Sequence, residues 1–516
     1  MTDHVELRRG AYHDSVSLMQ VSRAVAAAPG VESAQVAMAT ELNLELIRGM
    51  GFSVPAEAGP NDLVIAVRGD DPATGLAAAE AALAGLRTAA SHAGGFGEAP
   101  TPRTLGGAVR ASGANLALVS VPGAFATVEA LDAIHAGVSV MVFSDNVPVE
   151  DEVRLKDSAA EVGVLVMGPD CGTAVVGGVA LGFANAVHRG SVGMVAASGT
   201  GAQQVMCLLE AAGVGLSHCL GVGGRDLSSD VAGRSTRQAL AALADDPETG
   251  SIIVVSKPPA PEVLADLQAY AAGLGKPVHW ATLGPGRPDL TAAVEQALTD
   301  EGRGVPTWPA WVPEQPSATA GFLRGLFCGG TLADEVMLIA SAQLGPIRSN
   351  IPLSPELALG PDLRGDGHVV IDFGDDALTR GRAHPMIDPT LRLERIAAEA
   401  GDPSCGVLLL DLVLGYGAHP DPAGELAEAI RAARVTAAAH GRALPVVVSL
   451  TGVEGDPQGL TGCAEVLRDA GAAVYLSNAA ATRRALSLLA ASATVGADES
   501  QPGGIRPGLG SEGGLT

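Results

Sequence analysis

The sequence predicts a multidomain α/β protein with parallel sheets, and three observations carry that expectation. Short Val-, Leu- and Ile-rich runs alternate with Ala-rich stretches of helical length from end to end, as strands joined by crossover helices do. Aromatic residues make up 3% of the chain, so the cores must be built from Ala, Val and Leu, which suits strands covered on both faces. At 516 residues the chain exceeds what one core can hold, and three or four domains are expected.

The units follow in order. Residues 1–104 hold VELRRG, a helix through SVSLMQVSRAVAAA, the strands VESAQVAMA and NDLVIAVRG, and the helix ATGLAAAEAALAGL, a small α/β domain. Residues 105–190 hold the strands LALVSVP, VSVMVFSD and VGVLVMGPD separated by helices, a Rossmann-like half. Residues 191–300 open with VGMVAASGTG and continue through HCLGVGGRDL, SIIVVSKPP and KPVHWATLG. The Pro-rich segment 301–318 has neither helical nor strand periodicity and reads as a linker. Residues 319–494 then repeat the previous unit: LRGLFCGGTLADEVMLI, HVVIDFGDD, GVLLLDLVLG and LPVVVSLTG match its four strands in the same order. The tail 495–516 is Gly- and Ser-rich, the composition of a disordered segment.

Composition also excludes. A net charge of −25 with no basic stripe argues against nucleic acid as a partner. No apolar run reaches about twenty residues and the first residues are polar, so neither a membrane span nor a signal peptide is expected. Six scattered cysteines without a CxxC pair read as reduced, packed thiols of a cytoplasmic protein. The eleven histidines show no HxxxH or HExxH spacing, so no metal site is expected.

The chemistry points to two Gly-rich turns, each leading from a strand into a helix: Ser198, Gly199, Thr200 and Gly201, and Cys328, Gly329, Gly330 and Thr331. Such a turn leaves backbone N–H groups unpaired at the positive end of a helix, and glycine lets an anion approach closely. Tight packing alone would also explain one such turn; two in tandem favour phosphate binding. No GK[ST] follows either turn, so neither is a nucleotide-triphosphate loop. A second loop follows each. Gly224, Arg225 and Asp226 form one; Asp375, Asp376, Arg380, Arg382, His384 and Asp388 form the other. Arginine forks suit carboxylate or ureido oxygens, and paired Asp and His can move a proton. Taken alone, Asp375 or Asp376 reads first as a helix N-cap. The turn MGPDCGT adds Asp170, Cys171 and Thr173, with Cys171 read as a packed thiol over a nucleophile because no histidine partner lies near it in sequence.

Together these motifs resemble the acyl-CoA synthetase (succinyl-CoA synthetase) superfamily. Its alpha subunit is matched from about 101 to 300 by LALVSVPGAFATVEALDAIHAGVSVMVFSDNVPVED, VMGPDCGT, VGMVAASGTG and GVGGRDL. The carboxy-terminal domain of its beta subunit is matched from about 323 to 490 by CGGTLADE, VIDFGDD, VLLLDLVLGYGAHPD and VVVSLTGVEGD. GAYHDSVSLM, FSDNV, MGPDCGT, ASGTG, GGRDLS, GGTLA and HPMIDPT extend the likeness over nearly the whole chain to the FdrA family, whose members are also described as a subunit of an oxamate carbamoyltransferase. The resemblance implies a Rossmann-like domain followed by two flavodoxin-like, succinyl-CoA-synthetase-type domains. It also implies that Ser198, Gly199, Thr200, Gly201, Gly329, Gly330 and Thr331 hold one phosphate between two helix ends.

The departures matter. GPGRP at 284–288 replaces the synthetase loop that carries its phosphorylated histidine, the stretch Ser256–Lys257 replaces its glutamate, and no CoA-diphosphate loop precedes LALVSVP. The leading expectation is therefore carbamoyl transfer between a ureido acid such as oxalurate and inorganic phosphate, with carbamoyl phosphate as product or donor. Arg225, Asp226, His384 and Asp388 would be catalytic. Asp170, Cys171, Thr173, Gly224, Asp375, Arg380 and Arg382 would bind substrate. Family resemblance implies partner subunits in a hetero-oligomer, with a homodimer also open. The alternatives are an acyl-CoA synthetase subunit binding CoA, and a non-catalytic scaffold.

Overall fold

A computed structural model describes residues 2–11, 13, 15–55, 57–90, 102–313, 320–380 and 382–493. The tail after 494, and 314–319 of the segment read as a linker, lie outside the described residues.

The first unit runs β1 (Thr2–Arg8), α1 (Ser15–Ala26), β2 (Val31–Met38), α2 (Glu41–Gly49), β3 (Leu63–Gly69) and α3 (Pro72–Ala90). Its sheet has the order β1-β3-β2 and is antiparallel throughout, not parallel. The alternation of strands and helices hides this, because β1-α1-β2 is a crossover that leaves room for β3 to run back between its strands. Leu18, Val21 and Val25 of α1 pack on Val36, Ile65 and Val67 to make the core of this unit.

The second unit is α4 (Leu105–Ser112), β4 (Leu116–Val119), α5 (Gly123–His135), β5 (Ser139–Val142), α6 (Val149–Val162) and β6 (Val166–Met167), with parallel strands in the order β4-β5-β6. The chain leaves this sheet earlier than the sequence suggested. A hairpin of β7 (Thr173–Val176) and β8 (Val179–Gly182) turns on Gly177 and Gly178, both at positive φ, and joins the next sheet. The change of unit thus falls before Thr173 instead of at 190.

The third unit continues with β9 (Arg189–Ala197), α7 (Gly199–Ala211), β10 (Leu216–Gly221), α8 (Arg234–Asp245), β11 (Ser251–Ser256), α9 (Pro261–Ala271), β12 (Val278–Thr282) and α10 (Leu290–Asp300). The fourth comprises β13 (Ala310–Trp311), β14 (Phe322–Phe327), α11 (Gly330–Leu344), β15 (Ile347–Ser349), β16 (His368–Asp372), α12 (Asp376–Thr379), α13 (Thr390–Gly401), β17 (Cys405–Val413), α14 (Pro422–Ala439), β18 (Val446–Thr451), α15 (Leu460–Asp469), β19 (Ala472–Tyr475) and α16 (Asn478–Ala493). The segment read as a linker is partly structured: β13 pairs antiparallel with β19, and the Trp308 indole donates to Glu295 (2.7 Å).

The parallel cores of the two units have the same order, β12-β11-β9-β10 and β18-β17-β14-β16, as the matched motifs require. They also share a core. Val205 and Met206 of α7 and Val336 and Met337 of α11 belong to one buried apolar cluster with Leu486 of α16. This seam brings the N-termini of α7 and α11 together at the carboxyl ends of β9 and β14, where open α/β sheets place their ligands.

Candidate functional site

The two Gly turns meet. The Ser198 and Thr331 hydroxyls share a hydrogen bond of 2.6 Å, and a Cβ built on Gly329 would lie 2.8 Å from the Thr200 hydroxyl oxygen. Ser198 caps α7 by accepting from the Gly201 amide (2.9 Å), whereas α11 begins at Gly329 without a side-chain cap. Among the described residues the amides of Gly199, Thr200, Gly330, Thr331 and Leu332 donate to nothing. Two helix dipoles and these free donors converge on one point, the arrangement that holds an anion. Asp411 fixes the second turn from behind, accepting from the amides of Cys328 (2.8 Å) and Gly329 (2.9 Å) while paired with Arg392 (2.7 Å).

The residue that completes this cradle is Lys257, just past β11. A Cβ on Gly330 would stand 3.0 Å from its ammonium and 2.6 Å from an Asp372 carboxylate oxygen. Among the described residues the ammonium makes neither a hydrogen bond nor an ion pair within 4.0 Å. Burial opposes its charge, but the carboxylates of Asp334, Asp372, Asp170 and Asp375 outweigh burial and hold its pKa above the ordinary lysine value. The same charge is felt in return. Burial pushes Asp372 up to about 7 against the pull of Lys257 and of the Gly374 amide. Asp170 rises to about 7 through burial and the nearby Asp376, and burial lifts Asp334 to about 6. Asp334 on α11 has the place that Gln203 has on α7. Each crosses to the opposite unit, Gln203 donating to the Leu414 carbonyl (3.2 Å) and Asp334 facing Lys257.

These carboxylates are largely neutral at pH 5.5 and ionised at pH 8, adding negative charge beside an anion site as pH rises. Affinity for sulfate, whose own charge is constant over that range, should fall at least about tenfold between the two pH values. Calorimetric titration checks this, and a flat profile would remove the carboxylates from the site.

A cavity of about 940 Å³ surrounds the cradle. Of the residues expected from sequence, Asp170, Thr173, Gly224, Arg225, Asp375, Arg380, Arg382 and His384 line it together with Ser198, Gly199, Thr200, Gly330 and Thr331. Arg225 is anchored by Glu152 (2.9 Å) and the Val147 carbonyl (2.7 Å), leaving the guanidinium half-exposed. Asp375 also serves as the N-cap of α12, accepting from the Ala377 amide (3.1 Å). His384 reaches the cavity, but burial lowers its pKa to about 4, and its Nδ1 accepts from the Met386 amide (3.3 Å). It is a neutral imidazole near pH 7, a hydrogen-bond donor through Nε2 and a poor source of protons.

Five expected site residues are not at the site. Gly201 and Gly329 do not line the cavity, and their amides are spent on the Ser198 hydroxyl and the Asp411 carboxylate, so neither can donate to a phosphate. Asp226 is buried, paired with Lys156 (2.7 Å), and accepts from the Ser235 and Thr236 amides at the start of α8. Its role is structural: Lys156 also pairs with Glu152 (2.7 Å), so this buried triad ties α6 to α8. Replacing Lys156 with methionine leaves two buried carboxylates short of their shared cation and should cost about 3–5 kcal/mol, seen as a lower urea midpoint. The Cys171 thiol is buried, donates to the Thr173 carbonyl (3.6 Å) and is pushed by burial up to about 12, so it is inert packing. Asp388 is exposed and accepts from the Thr390 amide (3.1 Å) at the start of α13, outside the cavity. In the sequence Lys257 stands out only as the replacement of a glutamate, and no motif singles out Asp372 or Asp334.

The comparisons with known proteins agree with this architecture. Residues 326–488 match the CoA-ligase family model, and residues 1–102 match a model described as AllF, heavy metal-associated domain. The alpha subunit 2 of an ADP-forming succinate–CoA ligase from Archaeoglobus fulgidus is 32% identical over 154 residues, 29% of this chain and 52% of that one, so the chain spans about half of that relative. A phosphate- and ADP-bound dinucleotide-forming acetyl-coenzyme A synthetase 1 from Ca. Korarchaeum cryptofilum covers 74% of the chain and 83% of its own at 18% identity. Its TM-score of 0.26 is too low to define a shared site. The fold is multidomain α/β with parallel-sheet units, and the last of them carries the match to the CoA-ligase model. More narrowly, it belongs to the family of YahF, an uncharacterized protein of Escherichia coli, to which it is 38% identical over 497 residues, 91% of this chain and 95% of that one.

Proposed function

We propose that this chain is the phosphate-binding subunit of a carbamoyltransferase acting on a ureido acid, as its likeness to the FdrA family implies. The observation that carries the reading is Lys257: a cation stands beside the twin helix ends where the synthetase pattern has a glutamate to hold a phosphohistidine. A cation there suits free phosphate. Hydrogen phosphate held by the free amides and Lys257 attacks the carbamoyl carbon of oxalurate. The new C–O bond forms, the bond to the leaving amide nitrogen breaks, and the phosphate proton passes to that nitrogen, giving carbamoyl phosphate and oxamate. Asp372 and Asp170, with pKa values of about 7, are matched to carry that proton. The helix-end amides stabilise the developing oxyanion, and Arg225, Arg380 and Arg382 hold the substrate carboxylate.

The test is phosphate-dependent release of carbamoyl phosphate from oxalurate by the chain with its partner subunits. Release that stops when phosphate is omitted is expected; none from any ureido acid would end the reading.

A second reading, an acyl-CoA ligase subunit, is favoured by the family model and by the neutral His384 imidazole in the cavity. The glycine turn before β4 offers a CoA diphosphate no free amide. In the first turn of the second unit the Gly106 amide donates to Asp132 and the Gly107 amide to Thr104, so neither is free. This reading predicts a labile phosphohistidine after incubation with a nucleoside triphosphate, and mass spectrometry that finds none would exclude it.

A further inference from the structure

We infer that the N-terminal unit is a recognition cap that binds the uncharged amide end of the donor, rather than a metal carrier. The inference rests on the carbamoyl-transfer reading and adds to it the part of the chain that selects the substrate. The cavity is far larger than a phosphate needs and falls in the range of small-molecule sites. Its two sides differ in chemistry. Lys257, Arg225, Arg380, Arg382 and several carboxylates line the side of the cradle, whereas among the described residues the N-terminal unit contributes His13 but no Asp, Glu, Lys or Arg to the wall. It offers Met19, Gln35, Met38, Thr40, Asn43 and Asn61.

Neutral amides beside thioethers suit a planar amide or ureido group, which needs donors and acceptors but no countercharge. Gln35 is half-buried on β2, and among the described residues its side-chain amide has no hydrogen-bond partner. Asn43 is held by donating to the Met38 carbonyl (2.8 Å), which leaves its side-chain carbonyl as an acceptor. The unit is docked in place. Arg23 of α1 donates to the Ile387 carbonyl (2.9 Å) and pairs with Glu425 (2.8 Å), both in the fourth unit.

Although residues 1–102 match a heavy-metal-associated model, all six cysteines lie at Cys171 or beyond, so the unit has no thiolate for a soft metal. A substrate with an anionic end on the arginines and a neutral amide end under Gln35 would span the two chemistries.

The experiment titrates the intact protein with oxamate, and separately with sulfate, in wild type, Gln35→Leu and Met19→Ala. Oxamate affinity should fall at least tenfold in Gln35→Leu and less in Met19→Ala, with sulfate affinity unchanged in both. Oxamate binding that is absent in wild type, or equal in wild type and Gln35→Leu, overturns the cap. Loss of sulfate and oxamate binding together in Gln35→Leu, a general disturbance, also overturns it. Because the readout is equilibrium binding, it stands apart from turnover: absent carbamoyl phosphate release with amide-selective loss in Gln35→Leu would refute the reaction and keep the cap.

Discussion

Replacing Lys257 with alanine should lower the affinity for inorganic phosphate about a hundredfold and abolish turnover while the chain still folds. The ammonium stands against the α11 turn at Gly330, and among the described residues it has no ion-pair partner to lose. Removing it costs the fold little, because the carboxylates of Asp170, Asp334 and Asp372 already sit near pH 6–7 and can take up protons instead. Phosphate titration of the folded variant, with circular dichroism as the folding control, reads the effect. The converse change has the opposite sign. Asp372→Asn removes negative charge from the same point and should tighten sulfate binding above pH 7.

The second large effect separates a cradle from a scaffold. Alanine at Gly330 would bring a methyl group within 2.6 Å of an Asp372 oxygen and 3.0 Å of the Lys257 ammonium. Both are tips of flexible side chains, so they swing aside and the fold survives, but they swing out of the anion site. Phosphate affinity should fall at least about tenfold and turnover about a hundredfold, with stability changed by less than about 1 kcal/mol. Alanine at Gly462 on the exposed face of α15 is the control, since its methyl group would meet nothing within 4 Å. A scaffold whose chemistry lies in partner subunits predicts no difference between the two variants in any assay.

Much of this arrangement was legible in the residues. The alternation of apolar strands with Ala-rich helices carried the fold class, and the four matched motifs carried the duplicated sheet order, because each strand end keeps its Gly turn in register. The turns themselves could be read as anion-binding, since glycine and a hydroxyl before a helix have few other uses in tandem. What escaped was whatever depends on distance along the chain. The direction of β3 is invisible locally, because a crossover and a hairpin leave the same alternation. Asp226 and Asp388 look like acids at a loop, yet each is taken up by the amides of the helix that follows. Asp334 reads as a polar residue on a packed helix until α11 is set against β11 of the other unit. Lys257 was in view as a departure from a pattern. Its meaning required Gly330, at the start of α11 in the fourth unit, to stand beside it.

The most direct test of the central claim is a crystal structure of the intact protein grown with phosphate. The account predicts a phosphate between α7 and α11, hydrogen-bonded to the amides of Gly199, Thr200, Gly330 and Thr331 and to the Lys257 ammonium. A phosphate bound elsewhere at saturating concentration, with these amides bonded to water or protein and Lys257 turned onto its carboxylates, would contradict it.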